Sequence, residues 1–297
     1  SQIGINSIYA SANVGYKNWL YLNMTGRQDQ FSTLSPENNS LLYPSAGLSA
    51  VLSDALKLPS FINFAKVRAS WAQVGGGGPD PYALNVQYGL LSAPHGSANA
   101  GQITNGSIPN PTLSPYTSSE IEIGADVRFF NNRLGVDVAY YNRTTTNDIL
   151  NAGISATSGF GSTQVNIGEL SNRGVELLLN VAAMDTRDFK WDVTLNFANN
   201  ISEAVNLGKD AKGNPIQFLN YNESRVRQGE RIRHIVGEQL GAIVGWKHAT
   251  DANGTKIYTE DGMPVRSANA NNILGFGRQP ISAGLINSFS YKNFTLS

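Results

Sequence analysis

Residues 119–141 read SEIEIGADVRFFNNRLGVDVAYY. From Ile121 to Phe129 every second residue is apolar, and the residues between them are Glu, Gly, Asp or Arg. The same alternation resumes from Leu134 to Tyr140, after a short polar stretch centred on Asn131-Asn132. A period of two places successive side chains on opposite faces of a β-strand. The segment therefore predicts a β-hairpin with one apolar face and one polar face.

Six further segments alternate in the same way, with apolar rows at 8–16, 20–24, 46–52, 67–71, 175–181 and 191–197. None of the apolar rows contains a charged residue, whereas the positions between and just beyond them carry Arg27, Lys66, Arg68, Glu120, Glu122, Asp126, Arg128, Asp137, Arg143 and Glu176. Weaker strand candidates follow at Ile235–Trp246 and Ile281–Tyr291. The pattern predicts an all-β chain of about ten strands, and no segment has a convincing helical period.

The connections between these segments alternate in length. The stretches at Asn131-Asn132 and Ala182–Asp188 are short, while those at Gln28–Leu42, Gly75–Ser118, Thr144–Asn172 and Ile201–Arg233 are long and rich in Gly, Asn, Ser and Pro. Outer-membrane β-barrels have short periplasmic turns and long extracellular loops. Aromatic residues such as Trp19, Trp71 and Trp191 lie near strand ends, as in the aromatic girdles of such barrels.

The composition excludes several functional classes. Charged residues make up 15% of the chain, against about 25% in soluble domains. Lys plus Arg and Asp plus Glu each number 22, so general affinity for nucleic acid has no support. The chain has no cysteine, which excludes a disulfide scaffold and a thiolate metal site. No apolar run is long enough for a transmembrane helix, and because strand patterns are interrupted at both ends, we expect an internal fragment of a longer protein.

A soluble β-sandwich also alternates, so it is the main alternative for the fold. The polar face of a sandwich meets bulk water and is usually rich in Lys, Glu and Thr. Here that face is rich in Gly, Ser, Ala and Asn, with few lysines. Low charge and unequal connections favour the membrane barrel over the sandwich.

Several phrases resemble the C-terminal half of the SusC/RagA class of TonB-dependent outer-membrane transporters of the Bacteroidetes. The most specific is the phrase from Asn166 to Glu176, NIGELSNRGVE, and other matches are Lys66–Trp71, Glu120–Gly124, Phe129–Leu134 and Tyr291–Phe294. The matches occur in family order and cover nearly all of the chain.

This resemblance implies an antiparallel, up-and-down transmembrane barrel of roughly 22 strands with a plugged lumen. Residues 1–297 would form part of its wall, without the plug and the final strands. The resemblance also implies import of oligosaccharides or peptides, a SusD-like surface lipoprotein as partner, contact with the TonB complex through an N-terminal part, and location in outer-membrane lipid. The alternatives for function are a passive porin and a secreted carbohydrate-binding or adhesive β-sandwich protein.

Enzymatic chemistry finds little support in the residues. Glu120 and Glu122 share a face at a spacing that suits an inverting glycosidase pair. If Asn131-Asn132 centres the turn, however, Glu120 lies opposite Arg143 and Asp126 lies opposite Asp137, so a ladder of charges facing the lumen explains them without catalysis. The three histidines are scattered, and Asp251–Thr255 fits a turn better than a calcium loop. We therefore predict no catalytic, cofactor or metal site.

Aromatic residues in the long connections are the candidates for contact with substrate or partner. They have Asn and Gln neighbours, and flat rings beside amide groups suit stacking on sugar faces. The alternative is that they pack the loops together or contact the surface lipoprotein. These candidates are Tyr82, Tyr88, Tyr116, Phe160, Phe218 and Tyr221.

Overall fold

A computed structural model describes residues 2–76, 78–91, 98, 100–154, 156–209, 213–222 and 231–297; the side chains at 150–153, 156, 167, 221 and 222 lie outside this description. The strands are β1 Ile5–Tyr16, β2 Leu20–Phe31, β3 Ser40–Val51, β4 Ile62–Gly76, β5 Tyr88–Leu90, β6 Gly101–Ile103, β7 Ser107–Ile108, β8 Tyr116–Phe129, β9 Leu134–Gly153, β10 Ser162–Asp185, β11 Phe189–Asn206, β12 Phe218–Asn222, β13 Arg231–Ile235, β14 Ala242–Gly245, β15 Asn272–Phe276, β16 Ile281–Tyr291 and β17 Phe294–Leu296. A one-turn helix, α1, spans Leu52–Ala55, and a 3₁₀ turn spans Ala156–Ser158.

Within the described residues, one sheet of 11 strands dominates the structure. Ten of its strands follow the order β1-β2-β3-β4-β8-β9-β10-β11-β16-β17, and the short β7 adds a parallel pair with β10. Every neighbouring pair along the ten-strand path is antiparallel. This architecture confirms the predicted all-β, up-and-down sheet.

The pairing register gives the sheet two distinct faces. Laterally, Met24, Ala46, Trp71 and Ile121 are successive partners, and they belong to what we call the apolar face. Lys66, Asp126 and Asp137 are likewise successive partners on the opposite, polar face. Because directly paired residues point to the same side of a sheet, the predicted alternation holds from strand to strand.

Connections at one end of this sheet have two to four residues, apart from the ten of 52–61, and those at the other end have eight or more. The turn end comprises residues 17–19, 52–61, 130–133, 186–188 and 292–293, and the loop end comprises the described residues of 32–39, 77–115, 154–161 and 207–280. The alternation of lengths is confirmed, but the predicted loop at Thr144–Asn172 is wrong in extent. β9 continues to Gly153 and β10 begins at Ser162, so most of that stretch is strand. Its polar side chains lack the alternation on which the prediction depended.

The turn between β8 and β9 is centred as predicted. Phe130, Asn131 and Asn132 have φ of 53°, 57° and 64°, and Arg133 N donates to Phe130 O at 3.2 Å. Asparagine tolerates this left-handed region better than most residues. The side-chain Oδ1 of Asn63 accepts hydrogen bonds from the backbone N of Asn131 at 2.6 Å and of Asn132 at 3.3 Å.

Two other predictions need correction. The predicted strand Ile235–Trp246 is divided between β13 and β14, because Gly237 and Gly241 adopt φ of 80° and 77°. Both strands belong to a separate sheet, β12-β13-β14-β15, within the connection between β11 and β16. A short helix is also present, α1, which includes Leu52, the last residue assigned to the third apolar row.

Among the described residues, the buried hydrophobic clusters lie at the loop end of the sheet. One joins Phe31, Leu34 and Leu113, and the other joins Ala204, Leu207 and Leu240. The apolar face remains open, with Ile121 at 52% and Leu285 at 63% exposure. A sandwich would cover these rows with a second sheet, so the exposed rows contradict that alternative.

Aromatic rings cluster at the turn end, as the girdle interpretation predicts. Phe61 stacks on Phe129 and Phe130, with ring centroids 6.4 and 6.2 Å apart. Trp191 stacks on Phe289 at 5.7 Å. Toward the loop end, Trp71 on the apolar face donates its indole N–H to Ser119 Oγ at 2.9 Å.

Candidate functional site

The polar face carries all ten charged residues for which a common face was predicted. Within each strand these residues are an even number of positions apart, and the lateral register aligns the strands, so all ten side chains share one face. Neither β8 nor the paired part of β9 contains a bulge that would break this alternation. Glu120 pairs with Arg143 and Asp126 with Asp137, as the position of the turn predicted. That this face lines a lumen stays a prediction.

Arg68 on β4 organises the middle of the polar face. Its Nη2 and Nη1 donate to the two carboxylate oxygens of Asp137 at 2.9 and 3.2 Å, and its Nε donates to Glu122 Oε1 at 3.3 Å. To reach Asp137 on β9, the side chain crosses Gly124 on β8. The result is a fixed, charge-compensated guanidinium, and the bidentate geometry is the strong form of this contact.

Glu120, Glu122 and Asp126 on the polar face are each paired with an arginine rather than arranged as an acid and a base. Arg143 Nε donates to Glu120 Oε2 at 2.5 Å, and Arg128 Nη2 lies 3.7 Å from Asp126 Oδ2. Glu122 is engaged by Arg68. These contacts fit the predicted charge ladder and account for Glu120 and Glu122 without a reaction.

Two adjoining hollows lie on the polar face near the loop end. One, of about 640 Å³, is lined by Thr25, Arg27, Asp29 and Tyr43 among others. The second, of about 420 Å³, is lined by residues that include Tyr116, Glu120, Arg143 and Asn172. Because both hollows share Ala72 and Val74, they form a continuous surface, which we call the upper cradle.

The rest of the upper cradle combines hydroxyl and amide groups with apolar residues such as Ile5, Pro44 and Val74. Thr25 Oγ1 and Ser45 Oγ share a hydrogen bond of 2.5 Å, and Ser118 Oγ and Thr145 Oγ1 share one of 3.0 Å. The Ser202 hydroxyl donates to the Asn172 side chain beside it. Arg27 Nε donates to the buried Asp29 at 2.6 Å, and Arg27 Nη2 donates to Ser7 Oγ at 3.1 Å. The surface therefore offers many uncharged polar groups, and the charge of Arg27 is already compensated by Asp29.

The structure does not bring the six predicted aromatic residues together. Tyr116 lines the upper cradle. Tyr82, at φ 67° and 66% exposure, borders a separate hollow with residues 32–36, and Tyr88 is exposed in β5. Phe160 follows the 3₁₀ turn, and its backbone N–H donates a hydrogen bond to Ser158 Oγ at 3.3 Å.

The last two aromatic candidates lie on β12. The guanidinium carbon of Arg233 lies 4.3 Å from the ring centroid of Phe218, so this ring supports a buried arginine. The side chain of Tyr221 lies outside the described residues. Sequence reasoning missed Tyr43 and Asn172 as cradle residues. The signal that would have found them is strand parity, because Tyr43 is out of phase with the apolar row at 46–52 and Asn172 is in phase with Glu176 on β10.

Three further features concern metal binding, the turn at residues 251–255 and membrane-spanning helices. Within the described ranges, no group of three or more His, Cys, Asp or Glu is placed to hold a metal ion. Asp251 Oδ1 accepts hydrogen bonds from the backbone N of Asn253 and of Thr255, both at 2.9 Å, which confirms the predicted turn. Among the helices that the structure describes, none has the length and apolarity to cross a membrane.

Comparison with known proteins gives consistent results. A family model described as TonB dependent receptor-like, β-barrel, matches residues 1–280. A TonB-dependent receptor of Formosa agariphila is 28% identical and aligns with 99% of this chain, and the TonB-dependent receptor SusC of Bacteroides thetaiotaomicron is 24% identical over 98%. The structure of the RagAB peptide transporter superposes with a TM-score of 0.78 at 21% identity over 99% of the chain. The chain spans about a third of the length of these proteins: 31%, 30% and 32%.

Proposed function

Because the chain belongs to the TonB-dependent receptor β-barrel family, we propose that it forms part of the wall of an importer for oligosaccharides or peptides. The family consists of transporters, not enzymes, and its β-barrels lie in the outer membrane, which is the location of this segment. The two-faced sheet is the observation that carries the proposal.

The apolar face fits contact with lipid. From Ile121 to Phe129 the uncharged row on β8 extends over about 27 Å, at about 3.4 Å per residue. With a strand tilt of about 40°, that length crosses most of an apolar band about 25 Å tall. The backbone groups in this region bond to neighbouring strands, as required where lipid offers no hydrogen-bond partner.

The polar face, in this proposal, lines the route of the substrate. The ladder around Arg68 and the upper cradle both lie on it, and the cradle is next to the long connections. Loops on a rigid scaffold commonly determine what is bound. We assign the first contact with substrate to the upper cradle, including Tyr116. Four other aromatic residues stay candidates for loop contacts with substrate or partner: Tyr82, Tyr88, Phe160 and Tyr221.

The proposed partners follow from the relatives. The sequence resembles the SusC/RagA class, and this supports a SusD-like surface lipoprotein over the loop end. Energy would come from the TonB complex through a part of the protein other than this segment. The name of the RagAB transporter refers to peptides, which keeps peptides beside oligosaccharides as cargo.

Uptake by the full-length protein tests this function. Cells that contain or lack the gene would receive fluorescent oligosaccharide pools or peptide pools, with and without deletion of tonB. We expect gene-dependent uptake of one pool that disappears without TonB. Gene-dependent uptake that persists without TonB would instead support a passive porin, and no gene-dependent uptake of either pool would overturn the proposal. Co-purification of a surface lipoprotein with the tagged protein tests the partner.

A further inference from the structure

The upper cradle has balanced charges. Among the described residues that line it, the charged ones are Arg27, Asp29, Glu120 and Arg143. They form two ion pairs, Arg27–Asp29 at 2.6 Å and Arg143–Glu120 at 2.5 Å. Each cation is thus matched by a carboxylate within its own hollow.

An arginine that is already paired acts differently from a free one. Arg143 uses Nε for Glu120, and its side chain is 50% exposed, so its Nη groups are accessible to a ligand. The carboxylate compensates the positive charge, but the N–H groups still donate hydrogen bonds. Such donors suit hydroxyl and ether oxygens. An anionic ligand would instead face Glu120 and Asp29, and the described residues that line the cradle include no unpaired cation to receive it.

The neighbouring groups have the same preference. Hydroxyls of Thr25, Ser45, Ser118 and Thr145 and the amide of Asn172 both donate and accept hydrogen bonds. The rings of Tyr43 and Tyr116 add apolar surface to the two hollows. A few polar groups beside aromatic surface are typical of sites for uncharged polar ligands.

We infer that the Arg143–Glu120 and Arg27–Asp29 pairs are specificity determinants that select uncharged oligosaccharides and reject sulfated or uronate-containing ones. This inference rests on the proposed importer function and specifies its substrate class. Glu120 holds Arg143 in a neutral pair, so it acts as a positioning residue. Loss of its charge would leave an arginine free to bind a sulfate or carboxylate through both Nη groups.

The substitution Glu120→Gln tests the inference through a gain of binding. The full-length protein in detergent would be titrated with labelled neutral oligosaccharides, with the same mixture after chemical sulfation, and with hexapeptides. We expect the unmodified protein to favour the neutral mixture, and E120Q to bind the sulfated mixture about tenfold more tightly than the unmodified protein does. A merely structural role for Glu120 would weaken binding of both mixtures together.

The matched control is Glu203→Gln. Glu203 pairs with Arg173 at 3.7 Å on the same end of the sheet but on the apolar face, so this change frees an arginine outside the cradle. It should leave the preference for neutral ligand unchanged. If E120Q assembles poorly, Arg143→Gln serves as the second variant, and it should lower affinity for the neutral mixture about fivefold.

The outcomes separate this inference from the proposed function. Tighter binding of the sulfated mixture by the unmodified protein, or an E120Q variant without a changed preference, would overturn the inference alone. Binding of hexapeptides only would also overturn it and would leave the importer role intact. Failure to bind any of the three probes, together with the absence of TonB-dependent uptake, would overturn both.

Discussion

The guanidinium of Arg68 lies directly over Gly124, its lateral neighbour on β8: a Cβ at Gly124 would come within 2.6 Å of Arg68 Cζ. The missing side chain leaves the space through which Arg68 reaches Asp137 one strand further on. Tyr141 lies over Gly174 in the same way, with its hydroxyl 2.6 Å from the position of a Cβ. Glycine on the polar face thus allows long side chains to lie across a neighbouring strand.

Gly124→Ala should destabilise the barrel by about 1 kcal/mol, because the guanidinium must move away from Asp137 and Glu122, both of which are partly exposed. The measurement is the urea midpoint of the full-length protein in detergent. Gly26→Ala is the control, since no atom lies within 4 Å of its added Cβ. We expect that control to be neutral or slightly stabilising. Equal destabilisation by both changes would show that Arg68 adapts without cost.

Asn63→Ala should weaken the turn between β8 and β9. The variant removes the oxygen that accepts hydrogen bonds from the backbone N of Asn131 and Asn132. We expect a loss of about 1 kcal/mol, measured as a lower denaturant midpoint. Asn63→Asp keeps an acceptor and should retain most of the stability. If Asn63→Asp loses as much as Asn63→Ala, the hydrogen bonds do not explain the effect.

Leu177 and Leu178 offer a direct test of which face meets lipid. They are adjacent on β10, but Leu177 pairs with Val138 on the apolar face and Leu178 pairs with Asp137 on the polar face. Leu177→Lys should cost about 2–4 kcal/mol, the range for a charge on the lipid face near the midplane. Leu178→Lys should be tolerated beside Asp137.

The amount of each full-length variant folded in isolated outer membranes, measured by heat-modifiable mobility in gels, compares the two faces. Similar losses for Leu177→Lys and Leu178→Lys would contradict the assignment of the apolar face to lipid. A larger loss for Leu178→Lys would reverse the two faces.

His234 should make the small sheet β12–β15 sensitive to acid. Burial lowers the pKa of His234 from its ordinary value of 6.5, and the positive charge of Arg278 lowers it further. The backbone N of Gly241 donates to His234 Nδ1 at 3.3 Å, a bond that requires the neutral ring. The unfolded form binds a proton more readily, so the stability present above pH 6.5 is lost as the pH falls below it.

Hydrogen exchange of residues 231–245 in the full-length protein, corrected for intrinsic rates, measures this effect. We expect faster exchange at pH 5.5 than at pH 7.5. In His234→Gln, which cannot gain a proton, the difference should shrink. Unchanged dependence on pH in that variant would show that another group is responsible.

Prediction from sequence was strongest where strands lie next to each other along the chain. The pairing of Glu120 with Arg143 follows from one turn and a period of two, because a tight turn sets the register of a hairpin. Prediction failed where β9 and β10 continue beyond the apolar band, since polar side chains on both faces leave no alternation to detect. It also failed at Ile235–Trp246, where two glycines with positive φ interrupt an apolar run.

The sequence by itself determined that this chain forms strands with one uncharged apolar row each, because alternating hydrophobicity and the two-residue period of a strand are both local properties. Only the tertiary structure decided which distant side chains meet. Arg68 and Asp137 are 69 residues apart, and they touch because β4 pairs with β8 although a long connection separates the two strands in the sequence. The two hollows of the upper cradle join for the same reason. Long-range register depends on how whole strands align in the sheet, and no local pattern encodes that alignment.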